Sequence, residues 1–214
     1  SGDLDIREVG SSLTIRGAGA GVTTIDAASL ERVFHIFAGA TFNIEGVTIT
    51  GGRVTGSEDG GGVRNDGGAV TITDSVVSGN VSQDDAGGIN NTGNLTLTRV
   101  TVSDNSAART GGGIRNAGQL TLIESTVGGE HDPTDPSAPD LRNTSGLGGG
   151  GIINLTGGTL TASNSTISGN VSTTSRGAGL FTIGRGTASL ITPEGSKAYY
   201  YLSGLVDAIV LIAS

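Results

Sequence analysis

Carboxylate and imidazole side chains are the groups of this chain whose types suit acid and base catalysis. Asp66 and the consecutive residues Asp84 and Asp85 are carboxylates of the kind that cleave glycosidic bonds as an acid and base pair. Neither His35 nor His131 has an evident serine partner for a nucleophilic triad. The chain has no cysteine, which excludes disulfides, cysteine-based zinc sites and a thiol nucleophile. We therefore expect no enzymatic activity.

A second group of polar residues lies in a proline-rich segment, 131–147, which contains Asp132, Asp135 and Asp140. Carboxylate oxygens of this kind bind Ca²⁺ in proteins. Their spacing matches no calcium motif, and a solvated surface loop accounts for the acidity equally well. We expect no cofactor and no metal, with these three residues as the candidate ligands if a metal binds.

Threonine hydroxyls form a third candidate site, a binding surface on alternating segments. Alternation places one set of side chains on the outer face of a strand, and stacked strands repeat that set about every 4.8 Å. This resembles the Thr-x-Thr face of β-solenoid antifreeze proteins, although β propensity alone also favours threonine there. The array is interrupted by other side chains, including Asn43, Glu45 and Ile123. The candidate surface consists of Thr71, Thr73, Thr96, Thr98, Thr121 and Thr161.

An internal repeat must position these side chains. The motif Gly-Gly-aliphatic-x-Asn occurs at 61–65, 87–91, 112–116 and 150–154, and a degenerate copy occupies 177–182. Each of the four motifs precedes an alternating segment such as Leu95-Thr96-Leu97-Thr98, and a third apolar segment follows most of them. No single repeat buries its apolar side alone, so the repeats must stack. The sequence predicts an all-β, right-handed parallel β-helix of about seven three-strand coils over residues 1–186.

Asparagines recur at two fixed positions of the repeat. Amides stacked at strand spacing can hydrogen-bond along the stack, and asparagine tolerates left-handed corners. We interpret both columns as structural ladders and the glycine pairs as sharp corners with positive φ, with ligand binding by the amides as the alternative. The columns are Asn65, Asn91, Asn116 and Asn154, and Asn80, Asn105 and Asn170.

Two segments depart from the repeat. Residues 131–147 are predicted to form an inserted loop, and residues 187–214 a C-terminal cap or assembly segment. An apolar stretch in the tail fits a helical stripe or a strand, and it covers either its own last coil or a neighbour's. Because this stretch is short and contains Asp207, we expect no transmembrane segment.

Composition and charge exclude several classes of protein. With 39 glycines the chain is a poor candidate for a helical bundle. Its formal net charge is −8 and Lys197 is the sole lysine, which argues against a cationic surface that binds phosphates. We therefore expect no nucleic-acid partner.

The segments Leu13-Thr14-Ile15-Arg16-Gly17 and Thr23-Thr24-Ile25-Asp26, with the Gly-Gly-Ile-x-Asn repeats, resemble a known family. It comprises bacterial secreted β-helix proteins named for a Cys-Ser-Leu-Arg-Glu-Ala motif, within the pectate-lyase-like superfamily. The resemblance covers residues 1 to about 186, and the naming motif itself is missing. It implies an extracellular or cell-surface location. The Gly-His-Gly and Arg-x-Lys elements of polygalacturonases are also missing.

These observations favour a non-catalytic extracellular structural or adhesive module. Its expected partners are further copies of itself, added head to tail into filaments, or surface glycans. Two alternatives stay open: an ice-binding solenoid that uses the Thr-x-Thr arrays, and a β-helix that binds or degrades polysaccharides.

Overall fold

The computed structural model describes residues 2–131, 134–135, 137–174, 177–192 and 209–213. These residues form strands and turns, and none of them lies in a helix that could span a membrane. In chain order the strands are β1 Leu4–Ile6, β2 Ser12–Arg16, β3 Thr24–Asp26, β4 Phe34–Phe37, β5 Thr41–Glu45, β6 Thr48–Thr50, β7 Arg53–Val54, β8 Val63–Asp66, β9 Ala69–Thr73, β10 Val76–Ser78, β11 Val81–Ser82, β12 Ile89–Asn91, β13 Asn94–Thr98, β14 Thr101–Ser103, β15 Ser106–Ala107, β16 Ile114–Asn116, β17 Gln119–Ile123, β18 Thr126–Gly128, β19 Thr144–Ser145, β20 Ile152–Asn154, β21 Thr159–Ser163, β22 Thr166–Ser168, β23 Val171–Ser172, β24 Leu180–Thr182, β25 Thr187–Thr192 and β26 Ile209–Ala213.

The strands stack into four parallel sheets, which we number I to IV in the order in which one turn of the chain visits them. Sheet I is β1-β4-β8-β12-β16-β20-β24, sheet II is β2-β5-β9-β13-β17-β21-β25-β26, sheet III is β3-β6-β10-β14-β18-β22, and sheet IV is β7-β11-β15-β19-β23. The chain is a right-handed parallel β-helix of about six turns, which confirms the predicted fold. It has about one turn fewer than predicted, and each full turn has a fourth strand. The strands of sheet IV have two residues each, too few for an alternating pattern to reveal them.

Alternation along each strand builds the core. In β13, Leu95 and Leu97 are buried, whereas Thr96 and Thr98 are half-buried on the outer face. Leu95 and Leu97 stack on Leu120 and Leu122 of the next turn. Because the same contact recurs on successive turns, the stacked side chains form one continuous core. Each fully buried aliphatic side chain stabilises the fold by about 1.5–3 kcal/mol relative to an exposed one.

The glycine pairs differ from the prediction, because their φ angles are not left-handed. The left-handed residue is the one before each pair, for example Gly60 with φ 71° and Ala86 with φ 59°. The pairs are required instead by close backbone approach. A Cβ at Gly61 would lie 2.7 Å from the carbonyl oxygens of both Gly87 and Val81.

The ladder asparagines do not occupy left-handed corners, which is a second correction. No ladder asparagine has positive φ, whereas the corner between sheets II and III holds a left-handed non-glycine residue on each of four successive turns. At that corner Arg99 donates to both carboxylate oxygens of Asp74, at 2.6 and 2.9 Å, on an exposed surface. The residues are Asp74, Arg99, Glu124 and Asn164, with φ of 47°, 52°, 50° and 50°.

The two segments outside the repeat rejoin the stack. The insertion leaves the coil after β18 and returns at Asn143, and β19 then pairs with β15 within the predicted loop 131–147. In the tail, β26 pairs in parallel with β25 and extends sheet II of the same chain. The tyrosine run 199–201 and Asp207 lie outside the described residues.

Candidate functional site

A polar groove of about 840 Å³ lies on the outer face of sheet I at the first turns. Its lining includes Asp5 of β1, His35 and Phe37 of β4, and Arg64 and Asp66 of β8. Strand register accounts for the cluster, because Asp5 pairs with His35, His35 with Arg64, and Phe37 with Asp66. Successive outward side chains of a parallel stack lie about 4.8 Å apart, within reach of direct contact.

His35 is held between carboxylates of the turns on either side. Its Nε2 lies 3.0 Å from Asp66 Oδ2 and donates to it, since a carboxylate is an acceptor. Its Nδ1 lies 3.7 Å from Asp5 Oδ1, beyond hydrogen-bond distance. The imidazole also stacks on the Phe37 ring at a centroid distance of 3.9 Å, and its side chain is 13% exposed.

Asp5 uses its two oxygens differently. Oδ2 accepts a hydrogen bond of 2.9 Å from Arg7 Nε, and the Arg7 guanidinium lies 4.2 Å from the centre of the Phe37 ring. Oδ1 is buried and has no hydrogen-bond partner. A buried acceptor without a donor costs free energy, so Asp5 Oδ1 destabilises the fold locally.

Arg32 fixes the wall of the groove. Its side chain is 6% exposed and donates to Glu58 at 2.9 Å, to Asp3 at 3.3 Å and to the carbonyl oxygen of Gly60 at 3.0 Å. Glu58 also accepts from Arg64 at 2.8 Å. Because a buried guanidinium needs acceptors on every side, this network ties the first turn to the third.

A second acidic cluster lies along the turns that lead from sheet IV to sheet I, and it comprises Asp59, Asp84 and Asp85. Burial raises the pKa of Asp59, and the hydrogen bond from the Asp85 amide and the charge of Arg115 oppose that rise. Asp84 accepts from Arg109 at 2.8 Å, and this bond raises the pKa of the guanidinium. Asp85 Oδ1 accepts from the Thr110 hydroxyl at 2.7 Å. Each of the three aspartates therefore already accepts a hydrogen bond from a group of the protein.

The asparagine columns are buried hydrogen-bond ladders. Asn65 donates to Asn91, Asn91 to Asn116 and Asn116 to Asn154, at 2.8, 2.8 and 2.7 Å between the amide nitrogen and oxygen. The second column has an additional member, Asn143, which accepts from Asn105 at 3.0 Å and donates to Asn170 at 2.9 Å. Asn80 begins this column and donates to Asn105 at 3.0 Å.

The predicted threonine surface forms two outward columns on sheet II. Thr71, Thr96, Thr121 and Thr161 are in register on four successive turns. The adjacent column reads Thr73, Thr98, Ile123 and Ser163, so the paired arrangement covers two turns. Thr161 is exposed and the other five threonines are half-buried.

The aspartates of the insertion are engaged locally. Asp140 accepts from Arg142 at 2.8 and 2.7 Å, and this bond lowers the pKa of Asp140 to about 2. Asp135 accepts from the Ser137 hydroxyl at 2.6 Å, which lowers the pKa of Asp135. Asp132 lies outside the described residues.

Sequence reasoning missed the groove and Asn143. The signal for the groove was the x position of the motif, which holds Arg64, Asn90, Arg115 and Ile153 in the four complete repeats. Extending that position to the first turns places His35 next to Arg64 and Asp5 next to His35. Asn143 was concealed because the insertion precedes it directly.

No family model, curated protein or solved structure matches the chain. The parallel β-helix agrees with the fold that the resemblance to bacterial secreted β-helix proteins implies. Membership of that family stays a prediction.

Proposed function

We propose that this chain is a non-catalytic structural and adhesive module of an extracellular or cell-surface protein, and that it associates end to end. The observation that carries this proposal is the open edge of the first turn. Strands β1, β2 and β3 pair on one side with β4, β5 and β6, and on their other side no described strand pairs with them. Unpaired backbone groups along such an edge are a template for further strands.

The same end of the solenoid exposes apolar side chains. Leu4 is 47% exposed, and Leu13, Ile15 and Ile25 are partly buried. Their equivalents one turn later include Phe42 and Ile44, which are fully or almost fully buried. A strand supplied by another copy would therefore bury apolar area as well as pair the backbone.

Parallel stacking gives the association a direction. A first turn that pairs with the last turn of another copy makes a heterologous contact that repeats without closing, and the product is a filament. The two asparagine ladders and the continuous aliphatic core would keep each module rigid within it. The resemblance to secreted β-helix proteins supports the extracellular location.

Electron microscopy and light scattering over a concentration series test the proposal. We expect filaments with an axial repeat of about 38 Å, because each copy adds the eight strands of sheet II at a spacing of about 4.8 Å. Leu4→Lys, which places a charge on the open edge, should shorten them. The matched control is Leu147→Lys, at a residue 45% exposed on a later turn, and it should leave the filaments intact. Monomers at every concentration, or equal loss in both variants, would refute end-to-end association.

For the adhesive role we propose surface glycans as the partner, bound by the threonine columns of sheet II. Hydroxyls in register on successive turns present donors and acceptors at a regular spacing, which suits a repeating polysaccharide. Calorimetry with purified polysaccharides should show binding that Thr96→Val weakens. Equal binding by Thr96→Val would remove the columns as the binding surface.

Ice binding is a second candidate function, favoured by the four threonines in register on sheet II. Thermal hysteresis of the purified chain measures it directly. If the chain binds ice, it should show thermal hysteresis, and Thr96→Val should reduce it. The absence of thermal hysteresis in the parent chain would exclude this function.

A further inference from the structure

We propose that Asp3, Asp5 and His35 form a binding site for a divalent transition-metal ion of the Zn²⁺ type. One carboxylate oxygen from each aspartate and one ring nitrogen of His35 lie within 4.8 Å of one another. Imidazole nitrogen together with carboxylate oxygen is a ligand set that Zn²⁺ accepts. This inference is independent of the proposed assembly, because it rests on the groove and not on the strand edge.

The imidazole of His35 is oriented as a metal ligand. Its Nε2–H donates to Asp66 Oδ2 at 3.0 Å, so in the neutral ring Nδ1 carries the free lone pair. Histidines that bind metals almost always donate their second nitrogen to a carboxylate or carbonyl, which fixes the tautomer and the ring orientation. Asp66 has that positioning role here, and Arg64 Nε in turn donates to Asp66 at 2.8 Å.

Asp5 supplies the independent observation. Its Oδ1 is buried without a hydrogen-bond partner, although the side chain as a whole is 24% exposed, and it lies 3.7 Å from His35 Nδ1. In the neutral tautomer that donates through Nε2, Nδ1 is also an acceptor, so two acceptor atoms face each other. With Zn–N and Zn–O distances of about 2.0–2.2 Å, one ion can contact both atoms at an angle of about 120–130°. A bound cation would convert this unfavourable pair of acceptors into two ligands.

Two arginines hold the carboxylates in place. Arg7 occupies the other oxygen of Asp5, and Arg32 donates to Asp3 Oδ2 at 3.3 Å. Their positive charges oppose a cation, so the affinity should be lower than in a structural zinc site. Three protein ligands leave coordination positions for water on the groove side.

The second acidic cluster provides a matched control within the chain. Carboxylate oxygens of Asp59, Asp84 and Asp85 also lie within 4.8 Å of one another, yet this cluster includes no histidine. Arg109 and Thr110 donate to Asp84 and Asp85. We therefore expect no comparable site there.

Thermal denaturation of the chelator-treated chain with added Zn²⁺ tests the proposal. We expect a concentration-dependent rise of the melting temperature, absent in Asp5→Asn and His35→Gln and retained in Asp84→Asn. No rise in the parent chain, or a rise that survives Asp5→Asn and His35→Gln, overturns the site.

A second measurement needs no variant. X-ray absorption of the unmodified chain with one equivalent of Zn²⁺ should show a first shell of one nitrogen and several oxygens at about 2.0–2.2 Å. A shell of water oxygens alone would show that the ion is not held by His35. Circular dichroism in chelator verifies that each variant keeps the β-helix before its melting curve is compared.

Discussion

The side-chain amide nitrogen of Asn91 donates a hydrogen bond of 2.8 Å to the amide oxygen of Asn116, one turn further along the stack. Both side chains are fully buried, and the pair belongs to the ladder that runs from Asn65 to Asn154. Each amide also donates to a backbone carbonyl oxygen of the turn between sheets I and II, as Asn91 does to Gly93 at 3.2 Å. It donates as well to a strand of sheet II, as Asn91 does to Gln119 at 3.0 Å. The ladder therefore connects neighbouring turns and satisfies the backbone inside each turn.

Asn91→Ala should destabilise the fold by about 2 kcal/mol or more, because buried groups of Asn65 and Asn116 lose their partner. Urea denaturation followed by circular dichroism measures the loss. Asn94→Ala is the control, since Asn94 is exposed in the following strand, and its effect should stay within about 0.5 kcal/mol. Equal effects of the two changes would contradict the structural importance of the ladder.

Gly61→Ala should be strongly destabilising, because the new methyl group would lie 2.7 Å from the backbone carbonyl oxygens of Val81 and Gly87 on the next turn. Backbone in a stacked sheet cannot shift cheaply, so we expect a loss of about 3 kcal/mol or more. Thermal melting tests this. Gly21→Ala has open space around the new methyl group and should be nearly neutral. A stable Gly61→Ala variant would show that the stack relaxes more than its packing suggests.

Glu124→Gly should stabilise the chain. Glu124 is exposed with φ 50°, a conformation that costs an L-residue about 1–2 kcal/mol. Part of this is offset by the larger entropy of glycine in the unfolded chain, so the net gain should be about 0.5–1 kcal/mol. The expected rise of the melting temperature is about 1–4 °C. Glu124→Gln is the control, because it removes the charge and keeps a side chain at the left-handed φ. An equal rise of the melting temperature in Glu124→Gln would show that charge, and not backbone strain, causes the effect.

Asp59→Asn should stabilise the chain near neutral pH and not in acid. Burial raises the pKa of Asp59 above its ordinary value of 3.8, so folding favours the protonated carboxyl. The stability that this group contributes is therefore present below pH 3.8 and lost as the pH rises through its folded-state pKa. Asparagine resembles the neutral form, so its advantage should appear at about pH 7 and vanish at about pH 3.

Melting curves of Asp59→Asn at both pH values measure this difference. Asp135→Asn serves as the comparison, because hydrogen bonds from Ser137 lower the pKa of Asp135 and a neutral amide gains nothing there at neutral pH. An Asp59→Asn advantage that persists unchanged in acid would mean that charge is not its cause.

The sequence by itself determined the architecture. Alternating segments such as Leu95-Thr96-Leu97-Thr98 recur at a nearly constant interval, and a repeat that cannot bury its own apolar side has to stack. The asparagine positions followed from the same interval. What these asparagines bond to, and that the glycine pairs serve close packing and not left-handed corners, required the backbone path.

Only the tertiary structure decided the register of the first turns and hence the groove. Asp5, His35 and Asp66 lie far apart in sequence, on turns whose lengths differ, and the turns of Asp5 and His35 lack the complete motif. Their contact depends on which residue of one turn stacks on which residue of the next, and turn length sets that register without changing the hydrophobic pattern. For the same reason Asn143, directly after the insertion, joins its ladder through stacking alone.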